Sequence, residues 1–176
     1  FRSSGDFNNK ISVVDLLRGK RDLSDNDQDI VLMKSDGLPT YHLAHVVDDH
    51  LMGTTHVIRG DEWISSVTLH LQLFEMLGWT SPNYGHVAPI QKMDGGSRRK
   101  LSKRSDPEAS VSFYDEQGYP ATAVVEYLLN LANSNFEDWR KAHPTTDNRE
   151  FTLSFEKLAN PSGALFDFVK LNDISK

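Results

Sequence analysis

The sequence predicts an α/β fold, in which a parallel sheet with crossover helices is followed by a mostly helical region. Three short apolar runs have the length of buried strands, at Ile30–Met33, Thr55–Gly60 and Tyr84–Gln91. Two amphipathic helical patterns separate these runs, and beyond residue 110 only helical patterns remain. Together the three observations predict the alternating strand and helix order of a parallel sheet.

The two helices between the strands are predicted from apolar residues at helical spacing. The first covers residues 41–53 and ends at Gly53, a residue type that commonly caps a helix C-terminus. The second covers residues 61–79 and ends near Gly78. Its apolar stripe consists of Ile64, Val67, Leu71 and Phe74.

Beyond the sheet we expect a helical second domain that begins near residue 107. Pro120 stands at a first-turn position, and the residues after it form one apolar stripe. After a polar hinge at 143–150, two further helical patterns cover 151–163 and 164–176. At the other end of the chain, residues 1–28 are polar, with a single apolar stretch at Ile11–Leu17.

The composition is that of a globular protein, because 25% of the 176 residues are charged and 38% are hydrophobic. Cysteine is absent, which excludes disulfides and thiolate metal sites and fits a reducing compartment. No apolar run approaches the roughly 20 residues of a membrane helix, so no membrane partner is expected. The chain opens on Phe1 without a basic and apolar leader, and we expect it to be part of a longer protein.

The segment SRRKLSKR, residues 97–104, concentrates positive charge in a chain whose formal net charge is -6. Lys100 and Lys103, with Ser102 between them, can present two ammonium groups and a hydroxyl to one polyanion such as phosphate. The alternative is a solvated surface turn, which the charge alone favours. The position after a predicted strand favours a ligand site, because ligands of open α/β sheets bind at the carboxyl ends of strands. The pair Gly95–Gly96 is expected to make this segment mobile.

Arg59 lies at the end of a predicted strand and therefore near the same carboxyl edge. Its guanidinium has the fork geometry that holds a carboxylate with two hydrogen bonds. The alternative is a structural ion pair with Asp61 or Glu62. We expect Arg59 and the two lysines of the basic segment to meet in one cleft.

The stretch YHLAHVVDDH places Tyr41 and His45 on one helix face with Asp48 or Asp49. A metal site built from His42, His45, Asp49 and His50 is a weak hypothesis, because no zinc motif and no cysteine support it. We therefore predict no metal site. A partly buried His45 with internal hydrogen bonds is the more ordinary interpretation.

Read together, the segments GLPTYHLAHVVDDHLMGTTHVIRGDEWISS and RKLSKR resemble bacterial glutamyl-tRNA synthetase, a class I aminoacyl-tRNA synthetase. The resemblance runs from about residue 10 to the C-terminus, and KLSKR (100–104) is similar to the second class I signature loop. It implies a cytoplasmic enzyme that makes glutamyl-adenylate from glutamate and ATP with Mg²⁺. The glutamyl group then passes to the terminal adenosine on the acceptor stem of its tRNA.

The resemblance also implies roles for individual residues on the amino-acid side. Arg59 is expected to hold the side-chain carboxylate of glutamate, while Tyr41 and Trp63 line the amino-acid pocket. His45 stands where the family usually has asparagine, which leaves its contact with the substrate open.

On the nucleotide side, the resemblance implies that Glu62 lies near bound ATP. Lys100, Ser102 and Lys103 are expected to bind the ATP phosphates. The two lysines also stabilise charge as pyrophosphate leaves, with Lys103 the more important.

The first class I signature, a His-x-Gly-His turn, does not occur in the sequence. The resemblance therefore implies an internal fragment that is inactive alone. Residues 1–28 are expected to end an inserted tRNA acceptor-binding subdomain and 29–106 to form the second half of a Rossmann-type catalytic domain. Residues 107–176 are expected to begin a helical stem-contact domain.

Three alternative functions remain open. Two are related enzymes, a glutaminyl-tRNA synthetase and a shortened paralogue of the glutamyl-queuosine type. The third is a non-catalytic RNA-binding module that uses the basic segment, which the net charge of -6 disfavours.

Overall fold

The computed structural model describes residues 1–158 and 162–176. The chain forms two compact units, residues 1–86 and 87–176. Helices and strands occur in both, which confirms the mixed helix and sheet composition of the predicted α/β class. The functional division at residues 28 and 106 stays a prediction.

The first unit begins with an antiparallel hairpin of two strands, β1 (Lys10–Asp15) and β2 (Gly19–Ser24). The apolar stretch at Ile11–Leu17 supplies β1, which the sequence pattern did not predict as a strand. Asp15 pairs with Gly19 at the tip, where the φ of Gly19 is +69°. A hydrogen bond of 2.8 Å from Leu16 N to Tyr84 O joins this tip to a later strand of the same unit.

After the hairpin the chain forms one helix, α1 (Tyr41–Leu51), and then a strand–helix–strand unit. The elements of this unit are β3 (His56–Gly60), a 3₁₀ turn (Asp61–Ser66), α2 (Val67–Met76) and β4 (Asn83–Val87). Strands β3 and β4 pair with each other. A backbone hydrogen bond of 2.9 Å from Asn83 N to Thr55 O joins their beginnings, and a side-chain hydrogen bond of 3.0 Å from Arg59 Nε to His86 Nε2 joins their ends, so the two strands run in the same direction.

Both predicted helices of this unit are confirmed, with one difference. The chain leaves the two helices through left-handed glycines, Gly53 and Gly78, with φ of +67° and +72°. The second helix opens with the 3₁₀ turn at Asp61–Ser66 rather than with α-helix. The predicted boundaries at these two glycines follow from their freedom to adopt positive φ.

The predicted strand at Ile30–Met33 is wrong. This run makes only an isolated bridge, between Met33 and Pro39, and it flanks the turn that Gly37 closes. Val31 and Met33 are 66% and 51% exposed, while Ile30 and Leu32 pack on the core. Because the side chains alternate between core and solvent, the apolar run is not the doubly buried central strand that its composition suggested.

The core of the first unit lies between α1 and α2. It consists of Val46, Leu69, Leu73 and Phe74. The ring of Trp79 stacks on His50 with centroids 3.9 Å apart, which covers the C-terminal end of α1. This packing fixes α1 against α2 and so positions the side chains at their N-terminal ends.

The second unit opens with another antiparallel hairpin, β5 (Gln91–Asp94) and β6 (Ser97–Lys100). Gly95 and Gly96 form its two-residue turn, with φ of +54° and +87°. The sequence pattern treated residues 97–104 as a loop; their first half is instead strand β6. The glycine pair therefore makes a tight hairpin turn, for which positive φ at both positions is required.

The other elements in the described part of the second unit are helices, apart from an isolated bridge between Gln91 and Leu165. They are a 3₁₀ turn (Pro107–Ala109), α3 (Val111–Glu116), α4 (Ala121–Ala132), α5 (Phe136–Ala142), a 3₁₀ turn (Asn148–Glu150), α6 (Phe155–Leu158) and α7 (Phe168–Ile174). Pro120 precedes α4 as its N-cap. The predicted helical pattern over 151–163 includes residues 159–161, which lie outside the described residues.

The core of the second unit gathers side chains from α4, α5 and α7. Its buried members are Ala123, Tyr127, Phe136 and Leu171. The hydroxyl of Tyr127 accepts a hydrogen bond of 2.6 Å from Asp167 N, at the N-cap of α7. In the described part of the chain no helix has the length and apolar character needed to cross a bilayer.

Candidate active site

The guanidinium of Arg59, at the end of β3, lies at the centre of a polar and aromatic cluster in the first unit. Its Nε donates a hydrogen bond to His86 Nε2 at 3.0 Å. Its Nη1 lies 3.3 Å from His70 Nδ1, and its Nη2 donates to the Trp63 carbonyl at 3.3 Å. These three bonds use three of the five N–H groups of the side chain.

The hydrogen bonds of Arg59 determine the protonation of both histidines, because a guanidinium only donates. His86 Nε2 and His70 Nδ1 must therefore both be unprotonated. His86 carries its proton on Nδ1, which hydrogen-bonds to Asp15. His70 carries its proton on Nε2, which lies 3.0 Å from His42 Nδ1. Both imidazoles are accordingly neutral acceptors for the cation.

Burial favours the neutral form of three histidines near Arg59, namely His42, His45 and His70. It lowers the pKa of His70 to about 2, and the nearby His45 and Arg59 add to the effect. The pKa of His42 is lowered by burial and by the charge of Arg59. The pKa of His45 is lowered mainly by burial, although Asp49 opposes the shift.

The positive charge of Arg59 has neutral hydrogen-bond partners rather than a carboxylate. Among residues 1–158 and 162–176, no ion pair includes Arg59. Asp61, a predicted structural partner, pairs instead with Arg18 at 3.3 Å. A half-buried cation whose neighbours are neutral favours an anion supplied from outside the chain.

Aromatic rings enclose the guanidinium. Its carbon atom lies 4.9 Å from the ring centroid of Tyr84 and 5.9 Å from that of Trp63. The rings of Tyr41 and Trp63 are 4.3 Å apart, and Tyr41 stacks on His45 with centroids at 5.9 Å. Tyr41 is 47% exposed, so this wall opens to solvent.

Both ring nitrogens of His45 form hydrogen bonds within the chain. Nδ1 lies 2.7 Å from Asp49 Oδ2, and Nε2 lies 3.1 Å from the Tyr84 hydroxyl. Burial raises the pKa of Tyr84, so its hydroxyl stays protonated and donates a hydrogen bond to His45 Nε2. The imidazole therefore has no nitrogen left to hydrogen-bond a substrate in this arrangement.

The basic segment lies in the second unit, where acidic side chains neutralise part of its positive charge. Arg99 donates two hydrogen bonds to Asp106, at 2.7 and 2.8 Å, and a third to Asp94 at 2.6 Å. Lys92 pairs with the same Asp106 at 2.9 Å and with Glu108 at 2.5 Å. The hydrogen bonds from Arg99 hold the pKa of Asp106 well below its usual range.

The backbone after β6 is fixed by the same carboxylate. Ser102 N donates to Asp106 Oδ2 at 2.8 Å, and Ser102 Oγ accepts from Arg104 N at 3.3 Å. Lys100, the last residue of β6, and Lys103 are both exposed. The segment is thus a structured turn with exposed lysine side chains. Asp106 neutralises the charge of Arg99 and holds the backbone at Ser102.

The structure brings four of the predicted site residues together in the first unit, namely Tyr41, His45, Arg59 and Trp63. Glu62 lies in the exposed face of the 3₁₀ turn after β3. The predicted phosphate-binding residues Lys100, Ser102 and Lys103 lie in the second unit. Among the described residues, no group of three His, Cys, Asp or Glu side chains could hold a metal ion.

Sequence reasoning missed His70, Tyr84 and His86, which contact Arg59 from other elements, and Asp15, which accepts a hydrogen bond from His86. Two signals point to them in retrospect. Asp15 is the one carboxylate in the apolar stretch Ile11–Leu17, and it is 5% exposed. Tyr84 and His86 are two positions apart in β4, so assigning this segment as a strand puts their side chains on the same face.

Comparison with known proteins identifies the family. The sequence profile of the family described as "tRNA synthetases class I (E and Q), catalytic domain" matches residues 1–173. The chain belongs to this family. Its resemblance to a class I aminoacyl-tRNA synthetase, based on the segments around Arg59 and Lys103, is therefore confirmed.

Curated relatives of this class I family carry the name glutamate–tRNA ligase. One from Clostridium perfringens (strain 13) is 53% identical over 175 residues, which are 99% of this chain and 32% of the relative. One from Sorangium cellulosum is 52% identical over 189 residues, covering 99% of this chain and 33% of the relative. The chain thus spans about a third of the length of the curated relatives it matches.

Solved structures of the same family superpose on the chain. A glutamate tRNA ligase from Elizabethkingia meningosepticum, solved in complex with its amino acid, matches with a TM-score of 0.72 and 30% identity. The match covers 96% of this chain and 36% of that one. The synthetase from Elizabethkingia anophelis matches with a TM-score of 0.69 and 28% identity.

Proposed function

We propose that this chain is the part of a glutamate–tRNA ligase that binds glutamate and the phosphates of ATP. The observation that carries the proposal is the Arg59 guanidinium, whose hydrogen bonds go to His70, His86 and the Trp63 carbonyl, all neutral acceptors. Two of its N–H groups remain, which is the number that a carboxylate accepts in a bidentate pair. The name of the relatives, glutamate–tRNA ligase, supports glutamate as the substrate.

In the proposed amino-acid site, Arg59 binds the side-chain carboxylate of glutamate. Tyr41 and Trp63 form the wall beside it, since their rings pack 4.3 Å apart and Tyr41 is partly open to solvent. His45 contributes by stacking on Tyr41 and by holding Tyr84 through its hydrogen bond. The substrate then meets the face of this aromatic wall and the fork of the guanidinium.

The proposed chemistry is adenylate formation followed by transfer. An oxygen of the glutamate α-carboxylate attacks the α-phosphorus of ATP, and the bond to the β-phosphate breaks to release pyrophosphate. A hydroxyl of the terminal adenosine of the tRNA then attacks the activated carbonyl, and AMP leaves. Mg²⁺ enters with ATP on its phosphate oxygens.

Lys100 and Lys103 are proposed to bind these phosphates, with Ser102 between them. Their placement on a structured turn supports this role, because Asp106 holds the backbone at Ser102 and neutralises Arg99. Ammonium groups near the departing pyrophosphate stabilise charge that develops in the transition state. Glu62 is proposed to lie near the bound nucleotide.

The proposed domain organisation rests on the strand–helix–strand unit. The parallel arrangement of β3 and β4 around α2 supports a Rossmann-type half-domain, and the helices after residue 107 support a stem-contact region. In this proposal the protein acts in the cytoplasm on the acceptor stem of glutamate tRNA.

The experiment that tests the proposed function is ATP–pyrophosphate exchange in a protein of the relatives' length that contains this chain, hereafter the full-length enzyme. Exchange is measured with tRNA present and with glutamate, glutamine or aspartate as the amino acid. We expect exchange with glutamate only, and transfer of labelled glutamate to tRNA. Preference for glutamine indicates a glutaminyl enzyme instead. Salt-sensitive RNA binding without exchange indicates an RNA-binding module.

A further inference from the structure

The carboxylate of Asp15, at the tip of the N-terminal hairpin, is buried and fully engaged. Its Oδ1 accepts three backbone hydrogen bonds, from Leu17 N at 2.9 Å, Arg18 N at 2.8 Å and His86 N at 3.2 Å. Its Oδ2 accepts a hydrogen bond from His86 Nδ1. The two oxygens therefore have separate tasks, one for the backbone and one for a single imidazole.

Asp15 is ionised, and no lysine or arginine among the described residues pairs with it. The nearby Arg18 donates instead to the His86 carbonyl at 3.1 Å and to Asp61 at 3.3 Å. Burial opposes ionisation of Asp15, but the hydrogen bonds from His86 and the backbone outweigh it, so its pKa lies below the usual value. Among the described side chains, His86 is thus the one that donates a hydrogen bond to Asp15.

The charge on Oδ2 decides which nitrogen of His86 carries the proton. A carboxylate only accepts, so the proton lies on Nδ1 and the lone pair lies on Nε2. That lone pair receives the Nε–H of Arg59 at 3.0 Å. Arg59 therefore donates a hydrogen bond to His86, and His86 donates one to Asp15. Each acceptor fixes the orientation of its donor.

We propose that Asp15 and His86 are positioning residues that orient the Arg59 guanidinium for carboxylate binding. The inference rests on the proposed role of Arg59. Binding Nε on one side of the guanidinium limits its rotation and leaves N–H groups of the two terminal nitrogens for the ligand. The N-terminal hairpin, which is distant from β3 in sequence, thereby becomes part of the amino-acid site.

The sharpest test is the substitution Asp15→Asn, which changes one atom's role. With its amide oxygen at the Oδ1 position, asparagine keeps the three backbone hydrogen bonds. Its NH₂ group then faces His86 Nδ1 and, as a donor, forces the proton of His86 onto Nε2. Two donors, His86 Nε2–H and Arg59 Nε–H, then face each other. We expect the KM for glutamate to rise about 10- to 100-fold while the KM for ATP stays unchanged.

The control is Asp22→Asn, which removes the same charge from the same hairpin at an exposed position of β2. This variant is expected to keep the wild-type KM for glutamate. Arg59→Ala is measured alongside, alone and combined with Asp15→Asn. If Asp15 acts through Arg59, adding Asp15→Asn to Arg59→Ala causes no further rise in KM.

Imidazole ¹⁵N NMR of the histidine-labelled chain reads the tautomer directly and does not depend on activity. We expect the signals of His86 to show a protonated Nδ1 and an unprotonated Nε2, and Asp15→Asn to reverse them. This readout on the wild-type chain tests the inference even if Asp15→Asn does not fold.

The outcomes separate this inference from the proposed function. If Arg59→Ala raises the KM for glutamate and Asp15→Asn does not, the positioning role is overturned while the binding role of Arg59 stands. If Arg59→Ala leaves that KM unchanged, the proposed function itself fails. A protonated Nε2 on His86 in the wild-type chain, or an equal further loss in the double variant, also overturns the positioning role.

Discussion

Arg59 and His70 are joined by a hydrogen bond of 3.3 Å between Nη1 and Nδ1, and this bond exists only while His70 is neutral. His70 is fully buried, and its second nitrogen faces His42 at 3.0 Å. A proton on Nδ1 would place two cations against each other without water between them. The site around Arg59 is therefore sensitive to acid through its histidines.

The first prediction follows from the lowered pKa of His70. Unfolded histidine titrates near 6.5 and folded His70 near 2, so the unfolded state binds more protons between these values. The free energy of unfolding should therefore fall as the pH drops below about 6.5, by up to about 1.4 kcal/mol per pH unit for this one group. His42 and His45 act in the same direction.

Urea unfolding of the chain between pH 7.5 and 5 measures this dependence. His70→Gln retains a neutral side chain with a donor and an acceptor, so it should lower the stability at pH 7.5 and flatten the fall below pH 6.5. An unchanged slope in His70→Gln would mean that His70 is not the group that couples stability to acid.

The second prediction concerns Asp106, which holds Arg99, Lys92 and the backbone of Ser102 at once. In Asp106→Asn the side chain is neutral and has one oxygen instead of two, so it cannot accept both hydrogen bonds from Arg99. The turn at 101–104 should therefore loosen and the KM for ATP should rise. Asp94→Asn is the matched control, because Asp94 binds the same Arg99 at 2.6 Å but is 60% exposed on its side chain. Exchange kinetics of the full-length enzyme at varied ATP compare the two; equal KM values would contradict the prediction.

The third prediction concerns the turn between β5 and β6. Gly95 has φ of +54°, and a Cβ added there would meet no atom within 4 Å, so only the backbone limits substitution at this position. Gly95→Ala should lower the free energy of unfolding by about 1–2 kcal/mol. Gly95→Asn creates the Asn-Gly pair that such turns favour and should cost less. Denaturant unfolding measures both, and equal losses would indicate that backbone strain does not determine the outcome.

The fourth prediction concerns Lys103, one of the exposed lysines of the basic segment. Lys103→Ala in the full-length enzyme should lower kcat for exchange by roughly 10²–10³-fold, because one donor to developing charge is lost. Arg98→Ala removes another exposed cation, from β6, and is expected to change kcat little. A rapid-quench measurement of adenylate formation separates the chemical step from product release. Equal effects of both substitutions would indicate a general role of charge instead.

Local signals in the sequence predicted α1 and α2. The apolar stripes and terminal glycines located α1 and α2 because helix ends depend on nearby residues such as Gly53 and Gly78. Burial is a tertiary property, which explains the error at Ile30–Met33: Val31 and Met33 are apolar yet exposed. The hairpin β1–β2 was missed because its second strand, GKRDLS, has no apolar alternation.

The candidate site was predictable only in part. Helix spacing grouped Tyr41 with His45 and a strand end located Arg59, whereas the resemblance to the synthetase family was needed to add Trp63. Asp15 and His86 are 71 positions apart and meet only because the hairpin tip bonds to β4. Their role depends on which nitrogen bears a proton, and that information exists only in the hydrogen-bond geometry.

The central claim is that Arg59 binds the side-chain carboxylate of the amino acid. The most direct measurement is the KM for glutamate and for glutamine of the full-length enzyme with Arg59 replaced by alanine and by lysine, at saturating ATP. We predict that Arg59→Ala raises the KM for glutamate roughly 100-fold, reduces the preference for glutamate over glutamine and leaves the KM for ATP unchanged, with Arg59→Lys intermediate. A wild-type KM and preference in Arg59→Ala would contradict this claim.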